Sequence, residues 1–209
     1  MNLTEQGIAS YLGEDRLRYL QTVSVGIAGA GGLGSNCAMH LVRSGFRRFV
    51  LVDFDRIEPS NLNRQAFTLE QVGANKVDAL AANMHAVNPD LELDLYIGKV
   101  NGADMAELFA PCHVIVEAFD DPTAKKALVE TMLPSKKLVV AVSGMGGFGK
   151  SDAIITRKVS DSLYLIGDGE TECSDETPPM SPRVGIAAAK QADVVLRYFL
   201  DRFATEGEK

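Results

Sequence analysis

Cysteine is scarce in this sequence, and no two cysteines form a Cys-x-x-Cys pair. The three cysteines, Cys37, Cys112 and Cys173, are odd in number and far apart, so neither a disulfide framework nor a four-cysteine zinc site is supported. The N-terminus lacks a basic region followed by an apolar stretch, and no apolar run approaches the ~20 residues of a membrane helix. We therefore expect a soluble protein of the reducing cytoplasm, with no membrane partner.

Positive charge is also in short supply. The 209 residues include 21 Lys and Arg against 28 Asp and Glu, which gives a net charge of −7. Nucleic-acid backbones need clustered basic side chains, so this balance argues against a nucleic-acid partner. With 46% hydrophobic and 23% charged residues and no internal repeat or low-complexity linker, residues 1–209 are expected to form a single globular domain.

Short apolar runs alternate with stretches of helical pattern from residue 23 onwards. Buried strands are predicted at 23–28, 49–52, 114–116 and 138–142, with a further, alternating strand at 91–97. Helices are predicted at 35–44 and 76–87 and from about residue 122. This alternation predicts an α/β, Rossmann-like fold with a doubly wound, mostly parallel sheet.

The two ends of the chain do not follow this alternation of buried strands and helices. Residues 1–22 are polar and charged and predict an N-terminal helical arm. After Gly149, residues 153–156 and 163–166 predict a short antiparallel extension around a turn at 158–162. A polar loop at 167–182 and a closing helix at 184–203 complete the predicted domain.

A glycine-rich turn stands between the first strand and the first helix of the sheet. Gly29-x-Gly31-x-x-Gly34 lets the backbone approach phosphates, and the helix that follows offers free N–H groups. Asp53 ends the next strand, where its carboxylate can meet a ribose hydroxyl. The alternative is a turn whose glycines serve only close packing. The pattern favours nucleotide binding without separating NAD from ATP.

Two basic residues follow the second strand. Arg64, within Asn61-Leu62-Asn63-Arg64-Gln65, offers a planar fork of donors to phosphate oxygens. Lys76 stands near a predicted helix start, where a cation opposes the helix dipole unless an anion lies beside it. The plain alternatives are a solvated loop for Arg64 and a surface position for Lys76.

Asp120 and Asp121 end a further predicted strand, at the edge of the sheet where ligands bind. A carboxylate here can hold Mg²⁺ against phosphates, because Mg²⁺ prefers hard oxygen ligands. The alternative is a helix N-cap, since an Asp before Pro122 suits that position. One of the pair can cap the helix while the other binds the metal.

Two further features invite a functional interpretation. Gly144 to Ser151 matches G-x-x-x-x-G-K-[ST], but the residues after it alternate as a strand does, whereas a P-loop needs a helix there. We therefore interpret it as a flexible glycine loop. Cys173 lies in a loop between carboxylates, which would raise the pKa of its thiol and disfavour a nucleophilic role.

Taken in order, these segments resemble the ThiF/MoeB superfamily, which includes the adenylation domains of ubiquitin-activating enzymes. The resemblance covers about residues 10–200 and is greatest to the short ThiF-type proteins of thiamine biosynthesis. The Asn-x-Asn-Arg-Gln element makes it specific, because unrelated Rossmann enzymes lack it. The segments that carry it are residues 25–36, Val52-Asp53-Phe54-Asp55, Asn61-Leu62-Asn63-Arg64-Gln65, Gly73-x-x-Lys76 and Glu117-Ala118-Phe119-Asp120.

The resemblance implies adenylation of the C-terminal Gly-Gly carboxylate of a ubiquitin-like, ThiS-like sulfur carrier, with release of pyrophosphate. It implies ATP and Mg²⁺, and a homodimer in which Arg16 or Arg18 reaches the partner subunit's site. Arg64, Lys76 and Asp120 are the implied catalytic residues, with Asp120 also positioning Mg²⁺. The implied nucleotide-binding residues are Gly29, Gly31, Gly32, Gly34, Asp53, Asp55, Asn61, Arg64, Gln65 and Lys76.

The chain also departs from that family. Many relatives bind structural zinc through two Cys-x-x-Cys pairs, which this chain lacks, so no zinc is expected. Many relatives also use a cysteine to take over the activated carrier, and whether Cys173 does so is left open. Two other function classes remain: an NAD-dependent oxidoreductase, for which no acid–base partner is evident, and a non-catalytic nucleotide-sensing module.

Overall fold

In the computed structural model, which describes residues 1–207, seven strands form one sheet in the order β3-β2-β1-β4-β5-β7-β6. Each neighbouring pair is parallel except the outermost pair, β7 and β6. The strands are β1 Ser24–Ala28, β2 Arg48–Asp53, β3 Glu92–Ile97, β4 Val114–Glu117, β5 Leu138–Val142, β6 Ile155–Ser160 and β7 Leu163–Gly167. The predicted doubly wound sheet with an antiparallel extension is confirmed.

Helices cover both faces of this sheet. One apolar cluster joins the sheet to α3, α4 and α7, and a second joins its other face to α5 and α6. The central strands β4 and β5 are buried along their whole length because both faces are covered. The helices are α1 Leu3–Leu12, α2 Glu14–Leu20, α3 Gly32–Arg43, α4 Lys76–Val87, α5 Gly102–Leu108, α6 Pro122–Met132 and α7 Ser181–Gly207.

The N-terminal segment is helical but broken at Gly13, whose φ of 88° ends α1 and precedes α2. Leu17 and Leu20 of α2 are fully buried in the core. The Thr4 hydroxyl donates to the Val87 carbonyl at the end of α4, over 2.6 Å. Both helices therefore pack against the body of the protein.

The structure corrects some predicted boundaries. The connection between the two antiparallel strands is shorter than the predicted 158–162, because β6 continues to Ser160 and pairs it with Leu163 after a bulge. Helix α3 begins at Gly32, three residues before the predicted start, because the last glycines of the turn already take helical conformation. Helix α5 was not predicted, since its seven residues form too short a pattern to recognise.

The closing helix α7 is confirmed and extends beyond the predicted bounds at both ends, with 27 residues. It packs mainly against α3, so it lies beside the helix that follows the glycine turn. Within residues 1–207, no helix combines the length and the apolar character needed to cross a membrane.

Candidate functional site

The strand order reverses between β1 and β4, and the predicted site residues gather at this point. The glycine turn follows β1, Asp53 ends β2, and Asp120 follows β4. Because these strands are parallel, their carboxyl ends share one edge of the sheet and leave a crevice there. The fold thus brings together residues that are up to 91 positions apart in the sequence, from Gly29 to Asp120.

The glycines of the turn have different physical roles. A Cβ at Gly34 would lie 1.8 Å from the Gly29 oxygen, and one at Gly29, whose φ is 104°, would lie 2.7 Å from the Ala118 oxygen. Close packing therefore demands these two glycines. At Gly31 the nearest atom would be 3.9 Å away, so this glycine leaves room for a ligand.

The start of α3 is open to an anion. Among the residues that the structure describes, none caps this helix with a side chain, and Gly31 stands at the cap position. The first N–H groups of a helix have no partners within the helix and carry partial positive charge. The space above Gly31 and these donors together form a phosphate-sized cradle.

Asp53 holds the glycine turn and the segment after β2 together. One carboxylate oxygen accepts from the Ala30 N–H over 2.6 Å, and the other accepts from the Asp55 N–H over 2.8 Å. Burial raises the pKa of Asp53, against the lowering effect of these N–H groups and of Lys76. Each oxygen retains lone-pair capacity for a ribose hydroxyl, because a carboxylate offers about four acceptor sites.

Lys76 forms an ion pair at the start of α4. Its Nζ lies 2.6 Å from Asp55 Oδ2, and its side chain is only 8% exposed. The Lys76 N–H also donates to the Asp55 carbonyl over 3.0 Å. The predicted opposition between this cation and the helix dipole is thus relieved by Asp55, which also fixes the ammonium near the crevice.

Arg64, Asn61 and Gln65 lie on the other side of the glycine turn. The Asn61 side chain accepts from the Glu58 N–H over 3.1 Å, so it stabilises the short 3₁₀ helix Pro59–Asn63. The Arg64 stem lies against the turn, with Cγ 3.4 Å from where a Cβ of Gly32 would be. Its Nη1 donates to the side chain of Asn63 over 2.7 Å and to the Ser60 carbonyl over 3.3 Å.

Gln65 has a buried acceptor that lacks a partner. Its side-chain oxygen Oε1 forms no hydrogen bond among the described residues, and its amide nitrogen would lie 3.9 Å from a Cβ at Gly31. A buried acceptor without a donor costs about 1–3 kcal/mol. A ligand that donates a hydrogen bond beside the glycine turn would relieve this cost, so the site fits a nucleotide.

Two polar residues of α3 that the sequence reasoning missed attach the Arg64 segment to the turn. The Ser35 hydroxyl donates to the Gly31 carbonyl over 2.6 Å and accepts from the Ala66 N–H over 3.0 Å. The Asn36 amide donates to the carbonyls of Gly32 and Arg64, over 2.7 and 2.8 Å. The sequence did contain a signal for these two residues, because they are polar residues on an otherwise apolar face of the helix.

Asp120 and Asp121 differ in their surroundings, and of the two roles that the sequence left open the structure shows the helix cap. Asp121 Oδ1 accepts from the Ala124 N–H over 2.7 Å and caps α6. Asp120 is exposed at the edge of the crevice. The described residues hold no group of three or more His, Cys, Asp or Glu side chains arranged for a metal ion, so Mg²⁺ here would depend on Asp120, ligand phosphates and water.

Below Asp120 lies a buried ion pair that the sequence did not reveal. Glu117, 1% exposed at the end of β4, is 3.0 Å from Lys125 Nζ and accepts from the Phe119 N–H over 2.8 Å. Burial raises the pKa of Glu117, and Lys125 opposes that change. Fully buried Gln191 of α7 donates to the carbonyls of Glu117 and Val140, over 2.9 and 3.0 Å, and so ties β4 to β5.

The P-loop alternative is excluded by the structure. After Lys150 the chain forms a single 3₁₀ turn, Ser151–Ala153, and then enters β6. A phosphate-binding P-loop needs an α-helix at that point, because the helix start supplies the N–H groups. Gly144 to Ser151 is therefore a loop, as interpreted from the sequence.

Cys173 is exposed in the loop after β7. The residue as a whole is exposed, but its thiol is partly shielded from solvent. This partial burial raises the pKa of the thiol, and the positive charges of Arg64, Lys125 and Arg183 act against the change. The expected cause, flanking carboxylates, is therefore wrong. The end of this loop lies beside the Arg64 segment, because the Asn63 amide donates to the Pro179 carbonyl over 3.2 Å.

Comparison with known proteins agrees with this architecture. The model of the ThiF family matches residues 4–206. Ubiquitin-like modifier-activating enzyme 5 of Oryza sativa subsp. japonica is 29% identical over 176 residues, and that of Xenopus laevis is 26% identical over 173 residues. These matches include 82% and 77% of this chain but 42% and 41% of the relatives. The chain thus spans about two fifths of their length.

Solved structures share the fold. The E. coli tRNA N6-threonylcarbamoyladenosine dehydratase TcdA, in complex with ATP, superposes with a TM-score of 0.86 at 20% identity and covers 96% of this chain and 95% of its own. E. coli MccB with AMPCPP and MccA gives a TM-score of 0.66 at 22% identity, over 88% of this chain and 57% of its own.

Proposed function

The chain belongs to the ThiF family, and on that premise we propose that it adenylates the C-terminal carboxylate of a ubiquitin-like protein or peptide at the expense of ATP. The observation that carries the proposal is the crevice itself. There the uncapped start of α3 lies beside Arg64, and Lys76 is paired with Asp55, next to the Asp53 carboxylate that holds the glycine turn; Asp120 follows β4 at the same edge of the sheet. This arrangement suits a triphosphate better than the two phosphates of NAD, because it adds two cations to the helix start.

The adenosine and the phosphates take separate parts of the site. Asp53 accepts from a ribose hydroxyl while it continues to hold the glycine turn. Gln65 Oε1 receives a donor from the nucleotide, and the start of α3 receives a phosphate above Gly31. Asn61 contributes by fixing the backbone of the Arg64 segment, since its side chain already supports the 3₁₀ helix.

The chemical step is a displacement at the α-phosphorus. A carboxylate oxygen of the acceptor forms a bond to phosphorus, and the bond to the pyrophosphate oxygen breaks. Negative charge develops on the departing pyrophosphate, where Arg64 and Lys76 neutralise it. The ion pair with Asp55 keeps Lys76 in place before the nucleotide binds, so little reorganisation is needed. When bound at Asp120, Mg²⁺ supplies further charge neutralisation on the phosphates.

The acceptor class is supported by the relatives. Two of them are named for activating ubiquitin-like modifiers, and MccB was solved with MccA. The finer proposal is a ThiS-like sulfur carrier that ends in Gly-Gly, in thiamine thiazole biosynthesis. Free thiols at Cys37, Cys112 and Cys173 suit a cytoplasmic location.

We further propose a homodimer in which an arginine of α2 reaches the partner subunit's nucleotide. Arg18 is engaged by Glu14 and Asp15, at 3.2 and 3.1 Å. Arg16 is exposed on the same short helix. Because these ion pairs are solvent-exposed and contribute little, either arginine can serve this role.

ATP–pyrophosphate exchange in the presence of Mg²⁺ tests the proposal. The acceptors are a ThiS-type carrier, other ubiquitin-like proteins ending in Gly-Gly, and a peptide with a free C-terminus. Exchange that requires one of these acceptors is the expected result, and the acceptor that supports it names the substrate class. A parallel reaction with tRNA tests the substrate that the name of the structural neighbour TcdA suggests. The net charge of −7 argues against tRNA as a substrate.

Substitutions separate catalysis from folding. Arg64→Ala, Lys76→Ala and Asp120→Ala are each expected to abolish exchange while the cooperative unfolding transition persists. Lys126→Ala is the matched control, because its side chain is 75% exposed and forms an ion pair with Glu130 on the surface of α6. Near wild-type exchange in all three variants would refute the assignment.

The two alternative classes give different results in a binding screen. An oxidoreductase would bind NAD in preference to ATP. A nucleotide-sensing module would bind ATP with Arg64 and Lys76 intact and give no exchange with any acceptor.

A further inference from the structure

Two loops lie on the side of the crevice away from Asp53. The first, residues 143–150, follows β5, and the second, residues 168–180, follows β7. Because β5 and β7 are parallel to β1, both loops leave the sheet at the same edge as the glycine turn. We call these two segments the acceptor-side loops.

The second of these loops touches the nucleotide side of the crevice. Asn63, next to Arg64, donates from its amide to the Pro179 carbonyl over 3.2 Å. Val184, in the first turn of α7, faces the glycine turn, with Cγ1 3.0 Å from where a Cβ of Gly32 would be. The loops therefore form the wall opposite Asp53 and Lys76.

One buried ion pair joins both loops to α7. Arg183 is 3% exposed, and its Nη2 lies 2.5 Å from Asp168 Oδ2. The same guanidinium donates from Nη1 to the Gly149 carbonyl over 3.0 Å and from Nε to the Met145 carbonyl over 3.4 Å. Its Nη1 also donates to the Lys150 carbonyl over 3.4 Å. A single planar side chain thus contacts the first loop at three carbonyls and the second loop at its start.

Asp168 in turn shapes the second loop. Its Oδ1 accepts from the Thr171 and Glu170 N–H groups over 2.8 and 2.9 Å, and its Oδ2 accepts from the Thr171 hydroxyl over 2.7 Å. Gly144 has no room for a side chain here, since a Cβ would lie 2.0 Å from Asp168 Oδ1. The carboxylate is therefore surrounded by both loops.

Backbone hydrogen bonds join the loops once they are in place. The N–H groups of Met145 and Gly146 donate to the Thr171 carbonyl over 3.1 and 3.2 Å, and the Gly147 N–H donates to the Pro178 carbonyl over 2.9 Å. Glycines at 144, 147 and 149 have positive φ values between 67° and 79°. Such a glycine-rich segment has little intrinsic order, so its shape depends on these contacts and on Arg183.

We propose that Asp168 and Arg183 are positioning residues that hold the acceptor-side loops as the binding wall for the incoming C-terminal tail. The proposal rests on the proposed adenylation and adds the residues that govern acceptor recognition. Adenosine and phosphates occupy the crevice from β2 to the glycine turn, so an acceptor that attacks the α-phosphorus must approach over β4, β5 and β7. The acceptor-side loops occupy that approach.

The experiment compares Arg183→Lys and Asp168→Asn with wild type and with Arg197→Met. Lysine keeps the charge but loses the fork to the Gly149 and Met145 carbonyls, and asparagine keeps the shape but loses the charge. Arg197 is the matched control, because it lies on the same helix in an ion pair with Asp201 and is 80% exposed. Three quantities are measured: the ATP dissociation constant, hydrogen exchange in residues 143–150 and 168–180, and KM and kcat for the acceptor in pyrophosphate exchange.

The expected result is a rise of about tenfold or more in the acceptor KM and in the exchange rate of both loops, which corresponds to ~1.4 kcal/mol. The ATP dissociation constant should change by less than about twofold, and Arg197→Met should resemble wild type. Loss of ATP affinity in step with acceptor affinity would overturn the proposal in favour of general support of the fold. An unchanged acceptor KM in an active enzyme would also overturn it.

Failure of the proposed function is a different outcome. If the wild-type protein shows no exchange with any acceptor, the proposed adenylation is refuted, and the acceptor-binding role of the loops is refuted with it. If the wild-type protein is active and the variants have an unchanged acceptor KM, only the positioning role is refuted.

Discussion

Removal of the Lys125 ammonium provides a quantitative test of the buried pair beneath Asp120. In Lys125→Met the aliphatic stem and the helix propensity are kept, since methionine is also a good helix former. What is lost is a cation 3.0 and 3.2 Å from the two oxygens of Glu117, a carboxylate that is 1% exposed. Glu117 then keeps backbone donors such as the Phe119 N–H, but it loses the compensating positive charge of Lys125.

The magnitude follows from the burial of the two partners. Removing one partner of a buried ion pair costs about 3–5 kcal/mol. The Lys125 side chain is itself 27% exposed, so solvent screens part of this interaction, and we expect a loss of about 2–3 kcal/mol in the free energy of unfolding near pH 8. The double variant Glu117→Gln/Lys125→Met removes both charges and should recover most of that loss.

The pH dependence supplies a second observable with a definite sign. Burial already raises the pKa of Glu117, and loss of Lys125 raises it further, because Lys125 opposes that change. The folded variant then binds its proton more tightly than the unfolded chain does, so stability falls as pH rises. The destabilisation relative to wild type is complete above the folded pKa of Glu117 in the variant and fades as pH falls from there towards the folded pKa of Glu117 in wild type, by at most ~1.4 kcal/mol per pH unit.

Urea unfolding at about pH 8 and about pH 5.5 measures both effects. Lys126→Met is the control, since its ion pair with Glu130 has side chains 75% and 65% exposed and should contribute little at either pH. The reasoning is refuted if Lys125→Met matches this control at both pH values. It is also refuted if the loss in Lys125→Met grows at the lower pH.

Three further predictions concern the glycine turn, the exposed thiol and the acceptor-side loops. Gly34→Ala places a Cβ 1.8 Å from the Gly29 oxygen, so ATP affinity measured by titration should fall roughly tenfold or more, since overpacking costs about 1–3 kcal/mol. Its control is Gly185→Ala on α7, where a Cβ has open space and should raise stability by about 0.5–1 kcal/mol. Alkylation of Cys173, followed by mass spectrometry, should be slow at neutral pH and speed up as pH rises, because its pKa is raised mainly by burial. Burial alone would raise the pKa of Asp168, but bonds from Thr171, Glu170 and Arg183 hold it well below the usual range. The stability it contributes is thus present above the unfolded pKa and is lost only in strong acid, so loop protection from proteolysis should be constant between about pH 5 and pH 8.

Each of these predictions has a contrary result. Wild-type ATP affinity in Gly34→Ala would mean that the turn can open without cost. Faster alkylation of buried Cys112, whose pKa burial raises to about 12, than of Cys173 in the folded protein would contradict the exposure of the loop. Increased cleavage of residues 168–180 at about pH 5 would show that Asp168 is already partly protonated there, so that its pKa is raised above the ordinary range and not lowered.

The sequence alone determined the class of the fold and the edge of the sheet at which the site lies. Apolar runs of four to six residues, such as 49–52, and the glycine turn between a strand and a helix are local patterns, so they can be recognised without knowledge of contacts. The same holds for the rejection of the P-loop, because the alternation after Lys150 is local. Family motifs then placed Arg64, Lys76 and Asp120 among the site residues, which stays a prediction until it is tested.

Tertiary structure alone decided how those residues are held and what else surrounds them. Asp55 neutralises Lys76 across 21 positions and Arg183 joins two loops 15 to 38 positions away, because the chain reverses between them. Long-range pairs leave no periodic signal, so the sequence could not distinguish Glu117 or Gln191 from surface residues. The boundary at β6 was missed for the same reason: an exposed edge strand is defined by its hydrogen bonds to β7 rather than by an apolar face.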